Sequence, residues 1–237
     1  MTANLQNAVC RAFRILVLTV AFVPAVALAR EGRPQGNGFY LAGLGGPVIG
    51  FANGIKNGAG RKLADDNALN GIGGFGMAAG YTWAREGLPL RTELQFVNRT
   101  EISYNVSPLF SGSAANDAIA SDIQNVTTLL KGYYHFDVGS PKWSPFVSAG
   151  LGWSRTAVSG QYTPAGATPI KLDQVTNGLA WTAGIGASLY LGNHIVNDIE
   201  LSYVDLGEVD FGLPSSINLH TNTLGAAQLT FALRYNF

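Results

Sequence analysis

Apolar and polar residues alternate along most of this chain with a period of two. The last segment shows it best. Ala227, Leu229, Phe231, Leu233, Tyr235 and Phe237 fall on one face, and Ala226, Gln228, Thr230, Ala232, Arg234 and Asn236 on the other. Successive side chains of a strand point to opposite sides, so this pattern predicts a strand with one oily and one polar face. Leu88, Leu90, Leu94 and Phe96 stand in the same way against Arg91, Glu93, Gln95 and Arg99. Val126, Leu130, Tyr134 and Phe136 stand against Asn125, Thr127, Lys131, His135 and Asp137. In three further segments the second face is nearly bare. Phe75, Met77, Ala79, Tyr81 and Trp83 alternate with Gly74, Gly76, Ala78 and Gly80; Val147, Ala149, Leu151 and Trp153 with Ser148, Gly150 and Gly152. Leu179, Trp181, Ile185, Leu189 and Leu191 alternate with Ala180, Thr182, Gly184, Gly186 and Ser188. Segments 38–46 and 195–206 complete a set of eight, each near or above the roughly 9–11 residues of a tilted membrane strand.

The connections alternate too. Those near 52–69, 102–122, 155–178 and 207–221 read as long and polar, whereas 84–87, 138–143 and 192–194 are tight and rich in turn residues. Strict long-short alternation is what a meander barrel produces when one rim faces outside and the other the periplasm. The expected fold is therefore all-β, an eight-stranded antiparallel transmembrane meander β-barrel. Pro47 lacks an N–H and should not sit mid-strand in a closed barrel, so the first spanning strand is expected to end near Gly46.

Alternation alone does not say which face is outside, because a soluble barrel also alternates, with its oily face inward. A soluble exterior would carry Lys and Glu, but here the second face of three strands is mostly Gly, Ala and Ser. That suits the cramped interior of a narrow barrel. Trp83, Trp153, Trp181, Tyr81, Tyr134, Tyr235 and Phe237 lie on the oily face, where membrane barrels place aromatic girdles.

Composition agrees. Only 13% of the 237 residues are charged, and 30 are glycine; an ordinary soluble domain carries about 25% charge. No stretch reaches the roughly 18 uninterrupted apolar residues of a membrane helix. The first residues read as an export signal. Arg11 and Arg14 precede an apolar run from Ile15 to Val26, and Ala27-Leu28-Ala29 is a small-x-small cleavage pattern. We expect a signal peptide over 1–29, cleaved after Ala29, and a barrel domain over 30–237. The only cysteine, Cys10, would leave with that leader, so no disulfide framework or thiolate metal site is expected. The formal charge falls from +0 to −2 when Arg11 and Arg14 are lost, which offers nucleic acid no electrostatic footing.

Several pieces resemble the eight-stranded outer-membrane β-barrel family that includes the opacity-type porins and the OmpA-like transmembrane domains. They are FYLAGLGG (Phe39 to Gly46), KGYYHFDVGS (Lys131 to Ser140), PFVSAGLGWS (Pro145 to Ser154), IELSYVDLGE (Ile199 to Glu208) and LTFALRYNF ending on Phe237. The resemblance spans roughly 38–237. It implies a bacterial outer-membrane location, contact with outer-membrane lipid and lipopolysaccharide, and insertion by the barrel-assembly machinery. The aromatic-terminated strand, Phe231, Leu233, Tyr235 and Phe237, resembles the family's assembly signal. The family does not imply one activity: members are adhesins, immune targets, small-solute channels or envelope braces. No peptidoglycan-binding domain is expected after Phe237.

Two motifs invite other chemistry. Gly71-Ile72-Gly73-Gly74-Phe75-Gly76 fits the dinucleotide fingerprint, which works only where a strand meets a helix; alternating strand follows it here. The neighbours of His135, His194 and His220 do not match the His-x-Ser of outer-membrane lipid A deacylases, so enzymatic activity is not expected, nor a metal or cofactor. The inward charges Arg91, Glu93, Arg99, Glu101, Lys131, Asp198, Glu200 and Arg234 are the candidate site. Desolvated ions must pair or stay wet, so they form either a structural network, with Arg234 pairing Glu200, or a charged constriction along a water path. The functional expectation is a structural or adhesin-type surface protein whose loops meet a host or envelope ligand. The alternatives are a narrow diffusion channel and, less favoured, a lipid-modifying enzyme.

Overall fold

The computed structural model describes residues 38–53, 56–57, 67–106, 118–164, 166, 168–210, 219–221 and 223–237; the expected leader 1–29 lies outside them. Eight long strands dominate: β1 Phe39–Asn53, β2 Asn67–Thr82, β3 Leu90–Val106 and β4 Ala118–His135, then β5 Trp143–Thr163, β6 Ile170–Tyr190, β7 Ile195–Asp205 and β8 Thr223–Asn236. Each pairs antiparallel with its neighbour in sequence, and β8 returns to β1 to close the barrel. Closure leaves the paired region no free edge, the condition for backbone in lipid. Lys56–Asn57, Val209–Asp210 and Leu219–Thr221 form a separate small sheet within the long connections. One rim is tight. A 3₁₀ turn at Trp83–Glu86 ends on Gly87 in the left-handed region (φ 74°), and residues 136–142 and 191–194 make the other two turns. No helix among the described residues is long and apolar enough to cross a membrane.

The oily face is outside. Leu94, Leu130 and Leu151, paired in register across three strands, are each more than half exposed, and Phe75, Met77, Trp153, Leu179 and Leu233 share that face. The polar face is inside: Arg91, Gln95, Asn125, Thr127, Ser148 and Glu200 are all buried. A soluble barrel would show the reverse.

Two expectations fail. β1 does not stop near Gly46 but runs to Asn53, with Pro47 paired to Gly73 of β2. The ladder to β8 lapses at Gly46 and Pro47 and resumes at Val48 opposite Gln228, so the missing N–H is absorbed on one side while the other side holds. A Cβ on Gly46 would collide with the Leu229 carbonyl, so only glycine permits this approach.

The second failure concerns length. Residues 155–163 and 170–178, read as loop, belong to the 21-residue strands β5 and β6, and 102–106 and 118–122 likewise extend β3 and β4. Pairing of β2 with β3 ends at Gly74–Arg99, and that of β6 with β7 at Trp181–Asp205. β3, β4, β5 and β6 continue together to Val106–Ile119, Ala118–Thr163 and Tyr162–Ile170. They form a four-stranded wall on the side away from the tight turns. A 21-residue strand is about 70 Å long, far more than an apolar band of roughly 25 Å requires.

Candidate functional site

Seven of the eight predicted charges lie inside the barrel with 5% exposure or less: Arg91, Glu93, Arg99, Lys131, Asp198, Glu200 and Arg234. Glu101 does not. A β-bulge between Arg99 and Ile102 shifts the register by one step, and Thr100 and Glu101 are both exposed; Glu101 accepts a hydrogen bond from the exposed Gln124. A one-residue slip moves every later side chain to the other face, and nothing in the alternation up to Arg99 announces it.

Six of the interior charges pair near the tight rim, four in one cluster and two in a separate pair. Arg91 bridges Glu93 (3.2 Å) and Asp198 (3.0 Å), and Arg234 reaches Asp198 from β8 (3.2 Å). Lys131 meets both oxygens of Glu200 at 2.9 Å. The expected Arg234–Glu200 pair does not form. Arg234 stands opposite Val196, so Asp198 is its near inward neighbour on β7, while Glu200 is opposite Thr230, four residues away. The carboxylates are further saturated by hydroxyls. Tyr40 and Tyr133 donate to Glu93 (2.8 and 2.7 Å), Ser148 to Glu200 (2.6 Å) and Ser188 to Asp198 (2.6 Å). The Arg91 guanidinium lies 3.6 Å from the Tyr133 ring centroid, a close cation–π contact.

The sequence reading missed Tyr40, Tyr133 and Phe146, the aromatic filling around Arg91. Residue parity could have placed Tyr40 inside, since Phe39 and Leu41 flank it on the oily face; its own apolar body hid the signal. These large groups explain the bare inner faces. A Cβ on Gly80 would collide with the Tyr40 hydroxyl, one on Gly150 would sit 2.7 Å from Cγ of Lys131, and one on Gly184 2.6 Å from Oε1 of Glu200. Small residues on one strand make room for long ones on another. At the tight rim a cavity of about 30 Å³ touches His135, Tyr190, Arg234 and Asn236, room for water but not for a solute.

Arg99 stands apart, higher in the lumen. Its Nη1 donates to Asn125 Oδ1 (3.0 Å) and Thr127 Oγ1 (2.9 Å), and its Nη2 to Gln228 Oε1 (3.0 Å).

Outside, a sharp boundary crosses the long strands. Trp153 pairs with Leu179, and one step farther from the tight rim on the same face Arg155 pairs with Asn177. Beyond that line most outward residues are polar, Val175 excepted: Ser159 and Gln161 on β5, Lys171 and Asp173 on β6, Ser103 and Asn105 on β3. Around a buried Ser121 the inward residues turn mostly apolar, with Ile119, Ile123, Val158, Tyr162 and Leu172 nearly fully buried. Polarity inverts as it should where a wall leaves lipid for water.

The sequence profile of the outer membrane protein beta-barrel domain matches residues 15–237. Outer membrane protein PagN of Salmonella typhimurium is 28% identical over 209 residues, 82% of this chain and 82% of PagN. Among solved structures, Neisserial surface protein A superposes with a TM-score of 0.51 at 14% identity, covering 86% of this chain and 99% of its own. OprG of Pseudomonas aeruginosa does so with a TM-score of 0.51 at 17% identity, covering 85% and 98%. At such identities these two likenesses speak for the fold.

Proposed function

Because this chain belongs to the outer membrane protein β-barrel family and lies in the bacterial outer membrane, we propose that it is an adhesin-type surface protein. In this reading the four-stranded wall and its loops form the recognition surface for a host or envelope ligand. The observation that carries it is the inversion of polarity at Arg155–Asn177, above which β3 to β6 continue as a water-facing wall. A barrel that only spanned the bilayer would have no use for strands of this length. The ion pairs support a structural role for the lumen, since Lys131–Glu200 and Arg91–Asp198 cross it between non-adjacent strands, while Arg234–Asp198 ties the neighbours β8 and β7.

The same reading is non-enzymatic. His194 Nδ1 is 2.8 Å from the Asn236 carbonyl, and His135 packs 5.4 Å from the Phe146 ring, so both histidines have structural work. It includes the expected signal peptide over 1–29. Phe231, Leu233, Tyr235 and Phe237, all lipid-facing and about half exposed, serve as the signal read by the barrel-assembly machinery. Lipopolysaccharide would surround the barrel at the level of Trp153 and Arg155.

A narrow channel is the second reading, favoured by the polar lining and the water-sized cavity at the tight rim. Attachment of cells with and without the gene to a panel of host surfaces tests the first. Planar-bilayer conductance tests the second. Attachment that does not change with the gene, together with steady conductance, would reverse the order of the two.

A further inference from the structure

Among the described residues, the interior holds four cations, Arg91, Arg99, Lys131 and Arg234, against three carboxylates, Glu93, Asp198 and Glu200. The imbalance falls on one residue. Arg91, Lys131 and Arg234 each have a carboxylate within 3.2 Å, whereas Arg99 has none, and its hydrogen bonds go only to neutral oxygens of Asn125, Thr127 and Gln228. It is 2% exposed. A guanidinium cannot escape burial by losing its proton, and an uncompensated buried ion is costly.

The donors tell where the compensation belongs. A guanidinium has five N–H groups. Nη1 spends both of its hydrogens on Asn125 and Thr127, Nη2 spends one on Gln228, and Nε has no acceptor. Two donors of a positively charged group are thus unspent inside the barrel. The Thr127 hydroxyl, which accepts from Nη1, has its own proton to give.

From this we propose that Arg99 is the floor of an anion site in the lumen, occupied by a small monovalent anion such as chloride. A single negative charge balances the interior; a divalent one would overshoot. Arg99 is the last residue of β3 paired with β2. The charged network lies below, toward the tight rim. The proposal is independent of what the loops bind.

The test compares unfolding of the refolded protein in potassium chloride and in potassium gluconate at equal ionic strength. The folding constant should rise about tenfold as chloride reaches ten times its dissociation constant. Gluconate, too large for the site, should give no such rise, and Arg99→Gln should abolish the chloride effect. Should Arg99→Gln fail to fold, the chlorine-35 line width of wild-type samples decides: saturable excess broadening displaced by bromide supports the site. Equal stability of the wild type in both salts, or broadening that grows linearly, would mean that water alone solvates Arg99. A chloride effect that persists in Arg99→Gln would overturn the assignment as well.

Discussion

Removing Asp198 should unbalance the lumen by leaving one buried cation without a carboxylate. Asp198 holds two guanidinium groups and a hydroxyl: Arg91 at 3.0 Å, Arg234 at 3.2 Å and Ser188 at 2.6 Å. In Asp198→Ala, Arg91 keeps Glu93, but Arg234 is left with the Asn236 side-chain oxygen at 3.5 Å and the Tyr40 ring at 5.0 Å, and with no carboxylate. Stranding one buried charge typically costs about 3–5 kcal/mol. Arg234→Ala is milder, about 1–3 kcal/mol, because Asp198 keeps Arg91 and Ser188. The double mutant has no stranded cation, so the cycle should show a coupling of about 1–3 kcal/mol. The Arg234/Glu200 cycle should be additive within about 0.5 kcal/mol, since Glu200 bonds Lys131 and Ser148 and shares no partner with Arg234. Urea unfolding from lipid vesicles, followed by tryptophan fluorescence, measures both cycles. Additivity of Asp198 with Arg234, or equal coupling of Arg234 with Glu200, would refute the pairing scheme.

Other outcomes follow from the faces and the close approaches. Leu130→Arg, in the middle of the lipid-facing leucine belt, should cost about 2–4 kcal/mol in the same titration, whereas Ser159→Arg, outward but above the polarity boundary, should be near neutral. Gly76→Ala should destabilise by about 1–3 kcal/mol because its Cβ would collide with the Phe96 carbonyl. Gly132→Ala, with open space around it, should change unfolding by less than about 0.5 kcal/mol. Deleting Phe237 should reduce the amount of barrel assembled in cells while leaving spontaneous refolding into vesicles nearly unchanged.

The barrel was legible because lipid and lumen impose opposite polarity on alternate residues, and that signal is strong in β8, β3 and β4. It failed where the rule changes. Above Arg155 and Asn177 the solvent outside is water, so Ser159, Gln161, Lys171 and Asp173 face out while Val158, Tyr162 and Leu172 face in. The alternation continues with its hydrophobic phase reversed, and a reading tuned to oily-out strands sees only a polar loop. Seven interior charges could be placed by parity alone. Their partners could not, because pairing depends on register: Arg234 lies opposite Val196, which puts Asp198 rather than Glu200 within reach. Glu101 was lost to a bulge that no residue type marks, and Pro47 stayed in β1 because one of its two ladders could lapse.

The central claim is that recognition resides on the wall and loops rather than in the lumen. The most direct measurement is surface attachment by cells displaying a trimmed barrel. Connections 54–66, 107–117, 164–169 and 206–222 are replaced by short Gly-Ser turns, the outward wall residues Ser159, Gln161, Lys171 and Asp173 are changed to alanine, and folding is verified by the heat-dependent shift in gel mobility. The trimmed protein should still reach the outer membrane and shift on boiling, yet lose attachment to background. A folded, trimmed barrel that attaches as well as the wild type would contradict the account.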